Sequence, residues 1–423
     1  MNDLVEIMRT TDLSDKPDEL LFNPPANSRL ATDALDNIPR YLFRVVSPHS
    51  DGITNEAWVH SKAASNRMNT GFPPPEDIFS NLDTQKQRMI AEILYLHLKW
   101  KGDDYLEDNL VSWTSSLPFA LQYIYYRHES NKDGSDLEDI KLYVIDTTKF
   151  PRGTFLRDLD LINAFYPFDK NLENIRGMRR GPTYYFGEYL SQGSLKIQGM
   201  HQVVSGASLF DQNRLQRLQP QFKAKGIQGR SQWPPWATEV VRLRKGVWNS
   251  SNQVRLSSAD IWDRLKAVEE IVDHFEPRWR YPLAIYFVAL IGRESVAKED
   301  DEGTADDNVF FAFFRSKFIG GQQKEFNPSN FNVVAPSTMP EMTRVKELVR
   351  EVHKDYHLRK ALSLATEAEK KMRNLHIQLI HSEDRSVFLE DDPNEVLVRA
   401  GKIIRSRLKT IRMLRKKVTQ AIS

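Results

Sequence analysis

Arg40-Tyr41-Leu42-Phe43-Arg44-Val45-Val46 is the stretch on which the fold turns. Aromatic and β-branched residues crowd it, which reads as a strand, and Pro48, Asp51 and Gly52 end it. A charged Arg44 inside such a strand either points outward or is paired. Downstream, Leu110 to Thr114 reads as a second strand leading into a helix over Pro118 to Tyr126. Lys141-Leu142-Tyr143-Val144-Ile145-Asp146 reads as a third, with the continuous apolar centre of a buried strand. Between these strands, Thr84 to Lys101 reads as a helix with Met89, Ile93, Leu96 and Trp100 on one face. Pro73-Pro74-Pro75 and the polar run Ser130 to Asp139 read as loops. A short strand is expected at Thr183 to Phe186, just before Gly187-Glu188-Tyr189, with Ile197 and Val203-Val204 continuing that sheet. Upstream, residues 1–37 read as a loose leader broken by Asn23-Pro24-Pro25-Ala26-Asn27, without the apolar core of a signal peptide.

The period changes in the second half. Residues 211–235 are polar and punctuated by Gly and Pro, a boundary or long loop ending at Trp233-Pro234-Pro235-Trp236, and Thr238 to Leu243 is expected as a last strand. Ser258 can cap a helix whose apolar face is Ile261, Leu265, Val268, Val272 and Phe275. Tyr281 to Ile291 is the longest apolar run, and its eleven residues are about half of the roughly 20 that cross a bilayer. It reads as a buried core helix with Pro282 near its start. Lys298 to Asp307 reads as an acidic loop and residues 320–340 as a linker. Two long helices are expected over Glu341 to His381 and Asn394 to Ile422, pairing as an antiparallel hairpin. From Val396 onward there are nine Lys and Arg and no Asp or Glu, beside an apolar stripe of Ile404, Leu408, Ile411, Val418 and Ile422. Such a helix can bind an acidic membrane surface or nucleic acid. The stripe has an obvious partner within the chain, so we read it as the seam of the hairpin.

Composition narrows the function. The 423 residues allow two or three domains at roughly 150 each. Lys and Arg number 59 against 57 Asp and Glu, a net +2 that excludes a chain held to nucleic acid by overall charge. There is no cysteine, so disulfides, thiol nucleophiles, iron–sulfur clusters and cysteine zinc sites are excluded. A reducing, intracellular compartment, cytoplasmic or nuclear, is expected. No phosphate-loop, dinucleotide-fold glycine or HExxH motif is present. His353 and His357 lie one helical turn apart but lack a Glu in the motif position, so no metal site is expected.

Three short motifs carry the chemistry. They are Arg44 within Tyr41-Leu42-Phe43-Arg44-Val45, the cluster Ser112-Trp113-Thr114-Ser115-Ser116 at a strand end before a helix, and Gly187-Glu188-Tyr189-Leu190-Ser191. Each alone has a bland reading as a paired strand Arg, a turn or a surface Glu. In this order they resemble the arginine–serine–glutamate branch of the mono-ADP-ribosyltransferase superfamily, which includes the cholera-toxin-like enzymes. Asn163-Ala164-Phe165-Tyr166-Pro167 and Tyr189-Leu190-Ser191-Gln192-Gly193 are similar to the family's flanking segments, and the resemblance spans about residues 38–210. The chain also looks like an uncharacterised fungal domain family carrying the same motifs.

The resemblance implies a fold and a reaction. It implies an N-terminal mixed-β ADP-ribosyltransferase-like domain of two small packed sheets (38–250); with the helical region (251–320), the linker (321–340) and the helical hairpin (341–423) read above from the residues, the expected fold class is α+β. The substrate is NAD, cleaved between nicotinamide and ribose by an ADP-ribosyltransferase or an NAD glycohydrolase. Glu188 is the implied catalytic carboxylate, holding the ribose 2′-hydroxyl and stabilising the oxocarbenium-like transition state. Arg44 offers its planar fork to a phosphate or the ribose. Ser112, Thr114 and Ser115 brace the strands and orient Glu188, with the triplet register open between Ser112-Trp113-Thr114 and Trp113-Thr114-Ser115. Phe165 or Tyr166 stacks on nicotinamide, unless either is a core aromatic. One position departs from the family: Phe186 stands where arginine-modifying members carry a second Glu. A phenyl ring cannot orient or deprotonate a guanidinium, so the expected acceptor is not arginine. The alternative is a non-catalytic ADP-ribosyltransferase-like protein that binds a partner through its helical half.

Overall fold

A computed structural model describes residues 19–26, 28–70, 76–99, 108–130, 132–181, 184–222, 235–248, 256–291, 305–319, 339–383 and 393–422. In chain order the elements are Tyr41–Val46 (β1), Ile53–Thr54 (β2), Trp58–His60 (β3), Lys62–Thr70 (α1), Thr84–Leu98 (α2), Leu110–Thr114 (β4), Leu117–Glu129 (α3), Lys141–Asp146 (β5), Leu156–Arg157 (β6), Asp158–Phe165 (α4), Lys170–Arg180 (α5), Glu188–Gln192 (β7), Ser194–Lys196 (β8) and His201–Ser205 (β9). Helices follow: Gly206–Phe210 (α6), Arg214–Leu218 (α7), Pro235–Val247 (α8), Ser258–Val272 (α9), Pro277–Ala289 (α10), Ala305–Phe314 (α11), Pro340–Glu383 (α12) and Pro393–Ile422 (α13). The chain divides into two compact units, Met1–Lys346 and Glu347–Ser423.

The fold is α+β with two antiparallel sheets in the first unit. One runs β6-β7-β4-β1-β5-β9 and the other β2-β3-β8. The strand built on Tyr41 to Val46 is central, paired along its length with β5 from Tyr41–Asp146 to Val46–Lys141. Strand alternation sends successive side chains to opposite faces. On one face Leu42, Val111, Trp113, Ile145 and Tyr189 meet Val59 and Leu195 of the small sheet. On the other, Leu110 and Leu190 pack beneath α2, α4 and α5 through Ile90, Leu94, Leu161 and Ile175. Gly193, at φ +65°, separates β7 from β8 and lets the chain pass from one sheet to the other.

The apolar run from Tyr281 fills the remainder of α10 and the two residues after it, buried from Pro282 to Ile291, with Tyr286 edge-on to Phe43 at 5.3 Å and Trp279 against Tyr41 at 5.8 Å. The face expected on α9 is buried throughout, and Ser257 rather than Ser258 caps that helix, within a capping box with Asp260.

Several expectations need correction. Thr238 to Leu243 is not a strand but part of α8. Its apolar residues Ala237, Val240, Leu243 and Val247 fall at helical spacing and are buried. The strand expected at Thr183 to Phe186 instead begins at Glu188, and Thr183 lies outside the described residues. Ile197 follows a strand of the small sheet, whereas Val203-Val204 belong to the large one. On α2 the buried face is Ile90, Ala91, Leu94 and Leu98, one residue round from the expected stripe, and Met89 is exposed. Residues 305–307 open α11 rather than ending an acidic loop, and the rest of that loop, Trp233, Pro234, Trp100 and 320–338 lie outside the described residues. The leader is not loose where it is described: Phe22 is buried, its amide donates to the Gly153 carbonyl at 2.8 Å, and Leu20 bridges Gln192.

Within the second unit, α12 and α13 pack antiparallel. Glu369 pairs with Arg412 and Arg415, while Leu379, further along α12, lies beside Gly401, further back on α13. The expected stripe faces this seam: Leu408 is buried, and Ile404, Ile411 and Val418 are half-buried. No helix among the described residues is long and apolar enough to cross a membrane.

Candidate active site

Strands β1 and β4 pair at Phe43–Thr114. Next to that pair, Arg44 reaches across from β1 and donates from Nη1 to the Ser112 carbonyl oxygen at 3.0 Å, and from Nε to the Thr54 hydroxyl at 3.3 Å. Among the described residues no carboxylate pairs with this guanidinium. Burial pulls its pKa down to about 10, which leaves it charged at neutral pH. A desolvated cation with neutral partners is costly unless an anion completes it.

On the helix-covered face, Thr114 lies opposite Glu188 and Ser112 opposite Leu190. The Ser112 hydroxyl donates to Glu188 Oε1 at 2.6 Å. His97, near the end of α2, brings Nε2 to 2.7 Å from the same hydroxyl and Nδ1 to 2.5 Å from Asp108 Oδ2. Burial works against a charged His97, but Asp108 and Glu188 outweigh it and raise its pKa. A protonated imidazolium donates at both nitrogens, which leaves the single Ser112 hydrogen for Glu188.

The second Glu188 oxygen accepts from Arg179 Nη1, on α5, at 2.6 Å. The same nitrogen contacts Asp158, the fully buried first residue of α4. Burial pushes the Asp158 carboxyl up to about 6, with Arg179 opposing and the Glu188 charge adding to the rise. Burial likewise works against the Arg179 charge, yet Glu188 and Asp158 together raise its pKa. Gly187 precedes this carboxylate at φ +65°, where a Cβ would lie 2.3 Å from Ser115 Oγ, so the approach to Glu188 requires glycine.

Arg44, Ser112, Thr114 and Glu188 thus line one cavity of about 460 Å³, with His97 and Arg179 on its wall. That volume suits a small-molecule site. The triplet register is resolved by geometry: the Ser112 hydroxyl meets Glu188, and Trp113 turns into the core with its indole N–H on Ser191. The Thr114 hydroxyl donates to the Phe186 carbonyl at 2.7 Å, and the buried Ser115 binds the Gly187 carbonyl through both its amide and its hydroxyl. Both brace the segment before Glu188. Phe165 and Tyr166 do not line the cavity. Phe165 packs with Phe79 in the helical core, and Tyr166 carries the Arg176 guanidinium at 3.9 Å. Phe186 does line it, stacked on Phe119 at 5.3 Å. Sequence reading missed His97, Asp108, Asp158 and Arg179. His97 directly follows Leu96, which shares the expected apolar face with Ile93; both line the cavity.

The chain is similar over residues 37–199 to a family described as a domain of unknown function (DUF7587), a span that contains every residue of this site. No curated protein and no solved structure matches it.

Proposed function

We propose that this cavity binds NAD and breaks the bond between nicotinamide and ribose, passing the ADP-ribosyl group to water or to an acceptor other than arginine. The observation that carries this reading is the meeting of three residues distant in sequence. Arg44, with no carboxylate partner among the described residues, Ser112, and Glu188 oriented by Ser112 share one cavity of small-molecule size. Arg44 suits a phosphate oxygen by charge and by its fork. As the glycosidic bond lengthens, its electron pair leaves with nicotinamide and positive charge grows on the ribose. Glu188 stabilises that charge. Water or an acceptor hydroxyl then adds at the same carbon and releases a proton. Phe186, stacked on Phe119, gives a guanidinium acceptor no anionic partner.

A second reading is favoured by one contact. Arg179 holds the other Glu188 oxygen, which suits a binding protein that has kept the cleft without turnover and engages a partner through its helical half. Purified protein incubated with NAD separates the two. Release of free nicotinamide supports the enzyme, and binding of NAD without release supports the second reading.

A further inference from the structure

Glu188 does not stand alone with Arg179. Its guanidinium contacts two carboxylates, Glu188 and Asp158, and both lie within ion-pair distance of the same nitrogen. If Arg179 served Glu188 alone, the pair would be neutral, and a neutral pair is a poor partner for a ribose cation. With Asp158 ionised, two carboxylates share one guanidinium, the adjoining His97–Asp108 pair adds no net charge, and the cluster carries a net negative charge.

We propose that Asp158 is a positioning residue for the reaction at Glu188: by sharing Arg179 it prevents that guanidinium from neutralising the carboxylate beside the developing ribose cation. This role rests on the NAD-cleaving reading. Asp158 is well built for it. It is fully buried, its other oxygen accepts the Leu159 amide at 2.7 Å, and it sits at the start of a helix, so its ionised form has fixed partners. The charged and titratable groups around it are Arg179 from α5, Glu188 and Tyr189 from β7, Tyr185 from the preceding segment, and Arg157 and Asp160 from its own chain stretch. Arg157 is engaged by Asp160, at 2.7 Å, which leaves Arg179 to Asp158 and Glu188. Protonating Asp158 removes its claim on Arg179, and the cluster becomes neutral.

The test compares kcat and KM for nicotinamide release by wild type, Asp158→Asn and Glu188→Gln across the acid side of neutrality. Asn keeps the shape and an acceptor oxygen but not the charge. The expected result is a loss of about tenfold or more in kcat for Asp158→Asn with KM little changed. Wild-type turnover should fall as Asp158 is protonated, and the Asn variant should lack that limb. An Asp158→Asn enzyme with wild-type kcat, or one that keeps the acid limb, overturns the proposal while leaving NAD cleavage standing. A wild type that releases no nicotinamide overturns NAD cleavage itself and this role with it. Carboxyl NMR titration of Asp158 gives a readout free of turnover and of the Asn substitution. Its pKa should drop in Glu188→Gln, because a like charge has gone, and an unmoved titration would show that the two carboxylates are not coupled through Arg179.

Discussion

Two carboxylates, Glu188 in the sheet unit and Glu369 in the hairpin unit, are both buried and both held by arginine, yet the balance of charge around them is opposite. Glu188 shares Arg179 with a second carboxylate, and its remaining partner is the neutral Ser112. Glu369 alone takes Arg373 from its own helix, Arg412 Nε at 3.0 Å and Arg415 Nη1 at 2.7 Å from α13. One cluster is short of positive charge and opens on a cavity. The other has an excess and fastens two helices. Burial of an acid therefore says little about its role, and the ratio of cations to anions around it says more. Glu341 falls between them, with one arginine, Arg244, plus the Ser116 hydroxyl at 2.6 Å, all buried.

The largest effect is expected at the balanced pair. Arg244→Ala leaves Glu341 buried without its cation, and breaking such a pair costs about 3–5 kcal/mol. Chemical denaturation should show that loss, and a loss near zero would mean that water replaces the guanidinium. Next is the cation with no carboxylate partner among the described residues. Arg44→Lys replaces a fork with a point charge, and NAD binding measured by calorimetry should weaken about tenfold with the fold intact. An unchanged affinity would remove Arg44 from the ligand site. The smallest effect is expected at Glu369, whose arginine heads reach solvent. Hydrogen bonds from Arg373 and Arg412 hold its carboxyl below the ordinary range. A carboxylate depressed in the folded state contributes stability above its unfolded pKa and loses it as pH falls through the folded value. Hairpin helicity followed down through pH 4 should therefore lose an acid-sensitive part in Glu369→Gln, with nicotinamide release unaffected. If Glu369→Gln silenced release, the contrast between the two acids would fail.

Much of the sheet was legible because strands carry their signal locally. The aromatic and β-branched runs at Tyr41, Leu110 and Lys141 became β1, β4 and β5. The same signal misled at Thr238-Glu239-Val240-Val241, where packing against Phe119 and Phe186 selects a helix despite β-branched residues. It misled again at Thr183 to Phe186, because the left-handed Gly187 delays the ladder until Glu188. At the site, Arg44, Ser112 and Glu188 were legible because strands hold them at motif positions. His97, Asp158 and Arg179 were not, because each sits in a helix or at a helix start, and only the packing of α2, α4 and α5 onto the sheet brings them to Glu188. A lone His, Asp or Arg on an amphipathic helix carries no local mark of such a meeting.

The central claim is that the Glu188 charge acts on a ribose cation, and nicotinamide release by wild type and Glu188→Gln tests it most directly. Gln preserves the size and can still accept from Ser112, so the fold and NAD affinity should hold. Removing one electrostatic contact to a developing charge typically costs roughly 3–4 kcal/mol, or about two to three orders of magnitude in kcat, and a loss of at least that size is expected here. A Glu188→Gln protein that releases nicotinamide at the wild-type rate would contradict the claim.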